Sequence, residues 1–111
     1  MASLPNLPNT DAELVRQAKT GDLLAFEELT NRHERHVYTL ALRVLQNPHD
    51  AEDVTQQAFL SVIENLKSFR GDASFATWIN RIATHAALKV IRKRKGLPTV
   101  SLEAATEEVG S

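Results

Sequence analysis

Thr77, Asn80, Arg81, Thr84, His85, Leu88, Lys89 and Arg92 recur at spacings of three, four and seven residues. On a helix such spacing brings side chains to one side. Hydroxyl, amide, imidazole and guanidinium groups in a row are donors and acceptors that can reach base edges. The row runs into Arg92, Lys93, Arg94 and Lys95, cations suited to phosphate. Just upstream, KSFRGDASF supplies Lys67, Ser68, Phe69, Arg70 and Gly71. A loop of cations and aromatic rings around a conformationally free glycine can hold an unstacked base. Plainer readings stand beside these. Cations at a helix C-terminus answer the helix dipole, Phe69 and Phe75 can plug the ends of a core, and Trp78 can be buried or stand at its edge with one ring face open.

Charge is segregated along the chain. Residues 67–96 hold eight of the thirteen Lys and Arg and a single acid, net +7. Residues 1–66 hold five bases and ten acids, net −5, and residues 97–111 three acids and no base, net −3. The total of −1 hides a strong dipole. A basic face carrying aromatics and amides is the footprint of a nucleic-acid binder. An acidic half must then meet something else. Asp53, Gln56, Gln57, Leu60 and Glu64 recur along one side of a second helical pattern, with Asp50 and Glu52 at its start. An apolar Leu60 among acids and amides suits a basic partner helix. Ordinary solvated surface, with the acids answering the helix N-terminus, explains the same residues.

Enzymatic chemistry finds no support. The chain contains no nucleophile–base motif, no phosphate-cradling glycine loop and no metalloprotease signature. It contains no cysteine, hence no disulfide and no thiolate metal site. His33 and His36, three apart, read as surface polarity, and Asp50, Glu52 and Asp53 as the acids of a helix start rather than a metal cluster. No cofactor is expected. Neither a secretory leader nor an apolar run long enough to span a bilayer occurs, so the cytoplasm is the expected compartment.

The elements that must position these residues are helical. Residues 1–9, with Pro5, Asn6 and Pro8, read as a loose arm. Thr10 and Glu13 form a capping box opening a short helix that ends at Gly21. Asp22 caps a second helix reaching about Gln46, with Leu23, Phe26, Leu29, Val37, Leu40, Ala41, Val44 and Leu45 as its apolar positions and a weaker pattern over 30–36. Asn47-Pro48 ends it. A third helix begins in HDAED, its stripe Val54, Ala58, Phe59, Val62, Ile63 and Leu66. Residues 67–73 read as a loop. Ser74 or Asp72 caps the last helix, with Phe75, Trp78, Ile79, Ile82, Ala83, Ala86, Ala87, Val90 and Ile91 inward, closed by Gly96 and Pro98. The fold class is therefore all-α, a compact bundle of three to four helices over residues 10–96. Phe59, Ile63, Phe75, Trp78 and Ile82 are its expected core, and residues 97–111 form an acidic linker-like tail.

The run DAEDVTQQAFLSVIENLKSFRGDASFATWINRIATHAALKVIRKRK resembles region 2 of extracytoplasmic-function sigma factors. DAEDVTQ-x-x-F followed by FRG-x-x-x-F-x-TW-I-x-RIA carries the resemblance over about 45 residues. The upstream pattern of short helix, Gly-Asp and Phe-containing long helix extends it to residues 11–95. The resemblance implies a domain that binds core RNA polymerase and recognises and melts the promoter −10 element. It implies that Asp50, Glu52, Asp53, Gln56, Gln57 and Leu60 dock on the β′ clamp helices. Residues 67–74 with Asn80, Arg81, Thr84 and His85 would capture a base of the non-template strand, and residues 92–95 would hold phosphate. An anti-sigma factor is a further implied partner. The runner-up is a sigma-like interaction module held by such a factor without productive promoter binding. Two positions depart from the family: His85 stands where Asn is usual and Lys89 where Asp is common, so promoter preference does not transfer. The second helical domain usual in the family does not follow, and the chain reads as an isolated region 2 cut from a longer protein.

Overall fold

Every α-helix starts on a side-chain cap. In the computed structural model, which describes residues 10–96, Thr10 Oγ1 accepts from Glu13 N and the Glu13 carboxylate accepts from Thr10 N, opening α1 (Asp11–Lys19). Asp22 accepts from Leu24 N and Ala25 N at the head of α2 (Leu23–Leu45). Asn47 Oδ1 accepts from Asp50 N, and Pro48 is the first residue of α3 (Pro48–Asn65). Proline has no N–H to leave unsatisfied there, so one dipeptide ends α2 and starts α3. Ser74 Oγ accepts from Thr77 N and opens α4 (Phe75–Arg94). Between α3 and α4, Leu66–Ser68 form a single 3-10 turn where the sequence predicts loop. The expected arm (1–9) and tail (97–111) lie outside the described residues.

α2 is the common wall, packed against α1, α3 and α4. It runs in the same direction as α4: His33 meets Phe75 near the start of α4, and Arg94 at its end reaches the Leu45 carbonyl. α3 runs back against both, its first turn beside Arg94 through Asp50. Apolar burial forms two joined regions. One holds Leu14, Val15, Leu29, Val37, Phe59, Val62, Leu66, Phe75 and Ile79; the other is a tighter group of Ala41, Leu45, Ala51, Val54 and Ala87.

The polar stretch that weakens the α2 pattern over 30–36 clips α1 in place. Arg32 donates to Asp11 and to Glu28, and His33 Nε2 lies 2.8 Å from Asp11 Oδ2. The Glu28 hydrogen bond foremost, with that of Asp11, raises the Arg32 guanidinium above its ordinary range. Among the described residues no helix is long and apolar enough to cross a membrane.

Two apolar expectations fail. Leu23 is 80% exposed, because the buried face of α2 begins at Ala25, about 200° of helix rotation away. Ile63, expected in the core, is 54% exposed. It is turned about 100° from the fully buried Val62, past the edge of the packed face marked by Phe59. Phe59 and Phe75 are buried as expected, while Trp78 and Ile82 are half-buried and packed on the core.

Gln46, between α2 and the Asn47 cap, adopts φ 54°, ψ 34°. Left-handed backbone of this kind crowds Cβ against the carbonyl. Gln46→Gly is therefore expected to raise stability by about 1 kcal/mol. Urea unfolding should show a higher midpoint at unchanged slope.

Candidate nucleic-acid interface

α4 owes its rotation to Phe75, Ile79, Ala83 and Ala87, which are buried one turn apart. This leaves Thr77, Arg81 and Leu88 exposed and turns Thr84, His85, Lys89 and Arg92 to the flanks, half-buried. Asn80 departs from the expected reading row. It follows the fully buried Ile79 by about 100°, its Oδ1 is shielded from solvent, and among the described residues that oxygen has no hydrogen-bond partner. It is a flank residue rather than a freely projecting amide.

The segment before α4 is built on aromatic packing. The Phe69 ring stacks on Trp78 with centroids 4.4 Å apart and planes 22° from parallel. Phe75 meets Phe69 and Trp78 edge-on, with centroids at 6.3 and 6.0 Å. Offset-stacked and edge-to-face pairs are the favoured aromatic geometries. Of the readings open for Phe69, the ring is a lid on the core, and it covers one face of Trp78. Beyond this lid the chain is solvated: Arg70, Gly71 and Asp72 are exposed, Gly71 has φ 81°, and Lys67 and Ser68 are exposed just before it. Arg70 and Asp72 lie 3.9 Å apart, a loose surface pair.

The terminal cations divide. Arg94 donates to the Leu45 carbonyl and to the Asp50 carboxylate, so it closes the end of α2 and the start of α3. Of the expected DNA-binding and polymerase-binding residues, Arg94 and Asp50 are thus paired with each other, with both side chains still partly solvent-accessible. Lys93 and Lys95 are exposed. Besides the paired Arg94, the exposed cations on the loop and α4 are Lys67, Arg70, Arg81, Lys93 and Lys95, with Lys89 and Arg92 at the flank.

α3 presents the opposite sign. Glu52, Asp53, Gln56, Gln57 and Glu64 are exposed, with Leu60 at 53% and Ile63 beside it. Ile63, missed as a surface residue, lies three residues after Leu60 and seven after Gln56. That register placed it in the exposed stripe as readily as its spacing from Phe59 placed it in the core. Two neighbouring exposed aliphatic side chains within an acidic and amide rim make a compact apolar spot. Among the described residues no group of three His, Asp or Glu converges as for a metal.

Comparison with known proteins decides the family: residues 29–96 match Sigma-70 region 2. The chain belongs to the Sigma-70 region 2 family. This region 2 is 39% identical over 94 residues to the ECF RNA polymerase sigma factor SigM of Mycobacterium tuberculosis, covering 85% of this chain and 48% of that protein. It is 40% identical over 81 residues to ECF sigma factor SigW of Bacillus subtilis, covering 73% and 43%, and 41% identical over 78 residues to the ECF sigma-E factor of Escherichia coli, covering 70% and 40%. These relatives place the domain in the extracytoplasmic-function group, as its motifs indicated. The chain spans about half the length of the curated relatives it matches. Among solved structures it is similar to an engineered region 2 of sigmaE in complex with GTAAAA, with TM-score 0.72, 33% identity, and coverage of 83% of this chain and 97% of that one. The all-α bundle expected from the sequence is the fold that this region 2 shares with it.

The Arg94 pair gives a stability test that separates it from its neighbours. Arg94→Ala is expected to destabilise by about 1 kcal/mol, a modest value because both partners are partly solvated. Lys93→Ala and Lys95→Ala should leave the urea midpoint unchanged. In a double-mutant cycle Asp50→Asn with Arg94→Ala should cost less than the sum of the single changes.

Proposed function

We propose that this domain binds core RNA polymerase and recognises and opens the promoter −10 element, as a non-enzymatic transcription initiation factor acting in the cytoplasm. The observation that carries the reading is the solved sigmaE region 2, which was determined with GTAAAA and which this chain matches over nearly its whole length. In this reading Lys67, Arg70 and Arg81 meet the single strand where a base leaves the stack. Ser68, Gly71, Thr84 and His85 line the approach, and Lys93 and Lys95, with Arg92 at their flank, hold phosphate. Asn80, half-buried at the flank, borders this approach. Phe69 contributes by holding the loop rather than by stacking on the base. Melting needs no bond chemistry. Contacts to unstacked bases offset an unstacking cost of a few kcal/mol per base.

The α3 surface is the polymerase side. Glu52, Asp53, Gln56, Gln57, Leu60 and Ile63 would seat a basic helix such as those of the β′ clamp, with the two aliphatic residues as anchors and the acids steering approach. An anti-sigma factor would find the same spot accessible in the free protein. A sigma-like module that only meets such a factor is the competing reading, and it predicts no affinity for single-stranded DNA.

Fluorescence anisotropy with a labelled GTAAAA-containing oligonucleotide separates the two. Binding is expected to weaken as salt rises, and Arg81→Ala and Lys67→Ala should each reduce the salt slope by about one. No measurable binding at low salt would exclude the promoter reading. On the other face, Asp53→Lys with Gln57→Ala is expected to abolish capture of β′ clamp helices, and Ile63→Asp to weaken it at least tenfold while leaving the thermal transition in place. Normal capture by these variants would remove α3 from the interface.

A further inference from the structure

We propose that Lys19, at the end of α1, is a positioning residue for the base-capturing loop. The proposal rests on the DNA-binding reading above and extends it to a helix with no residue in the expected interface. Lys19 is half-buried, and its Nζ donates to the carbonyl oxygen of Phe69, fifty residues further along the chain. Phe69 is held at every other point as well. Its N–H donates to the Leu66 carbonyl, its ring lies on Trp78, and the edge of Phe75 closes behind it. On the far side of the loop, Ser74 is fixed by capping α4. Arg70, Gly71, Asp72 and Ala73 therefore span two anchored residues, and the first anchor depends on α1.

Three physical points make this contact more than incidental packing. It is a charge-assisted hydrogen bond, the stronger kind, to a carbonyl that has no helical partner of its own. The ammonium sits in the last turn of α1, where the helix dipole favours a cation, so α1 holds Lys19 in place for the loop. Loop ordering that is already complete before binding does not have to be achieved on binding, which raises affinity without adding a contact to the ligand. Lys19 directs one of its ammonium donors to the Phe69 carbonyl, and the salt slope tests whether it also meets phosphate.

The test uses the whole chain and its single tryptophan, which lies directly under Phe69. Lys19→Met is expected to lower affinity for the GTAAAA-containing oligonucleotide roughly three- to tenfold, the range of one hydrogen bond. The salt slope should match wild type, because no phosphate contact is removed. In the free protein, acrylamide quenching of Trp78 should increase as the Phe69 lid loosens, with helical circular dichroism unchanged. Lys19→Arg, which keeps a cationic donor, should restore both affinity and quenching to near wild type. A slope reduced by about one would show a direct phosphate contact and overturn the positioning role. Unchanged Trp78 quenching and unchanged affinity in Lys19→Met would overturn it as well. If wild type itself fails to bind the oligonucleotide, the DNA reading falls, while the Trp78 measurement still decides whether Lys19 holds the loop.

Discussion

Complete burial of one alanine-bearing face on each of α2, α3 and α4 is the constraint on which the rest of this bundle depends. Ala41, Ala51, Ala58, Ala83 and Ala87 are all essentially inaccessible to solvent and lie in the core clusters with the larger aliphatic residues of these helices. Small residues at helix crossings bring backbones near one another, and packing density then leaves little room for rotation about the helix axes. Once α4 is rotated to bury Ala83 and Ala87, its outer residues have no choice of direction. The same holds for α3 around Ala51 and Ala58. Charge segregation along the sequence becomes segregation between helix faces because this seam fixes which face is outside.

Ionic contacts in the described residues work at the ends of the bundle rather than within it. Asp11 ties α1 to α2 through Arg32 and His33, and Arg94 ties the end of α4 to the turn between α2 and α3. Both are partly solvated, so neither carries the energy of a buried pair, and their effect is on alignment. The Arg94 contact joins the basic segment to the first turn of the acidic helix. The two surfaces assigned to different partners therefore share a structural member.

Much of this was legible from local chemistry. Caps and breakers, namely Thr10 with Glu13, Gly21 with Asp22, Asn47-Pro48 and Ser74, mark every α-helix start and the ends of α1 and α2 because they satisfy or interrupt backbone bonding within a few residues. The family motif lies in the same short range. Long-range pairing was not legible. Nothing local announces that Arg94 rather than Lys93 turns inward to meet Asp50, since the choice depends on where α3 begins in space. Ile63 satisfied two helical registers at once, and only the position of the neighbouring helices decides between them. Asn80 shows the same limit, as a residue about 100° from a buried one can fall on either side of the solvent boundary. Of the proposed interface, the cations and the acidic stripe were readable, while the aromatic lid and its tie to α1 needed the fold.

Four independent N-caps have a consequence for how such a domain can change. Each helix start is set by its own side chain and each helix rotation by buried alanine and aliphatic residues, so the outward positions of α4 carry little responsibility for folding. Arg81, Leu88 and Lys93 can be exchanged at small cost to stability, as surface positions generally can. His85 and Lys89, half-buried, lie at the border of that permissive set. The outward face of α4 can therefore change by single substitutions, one at a time, without passing through an unfolded intermediate.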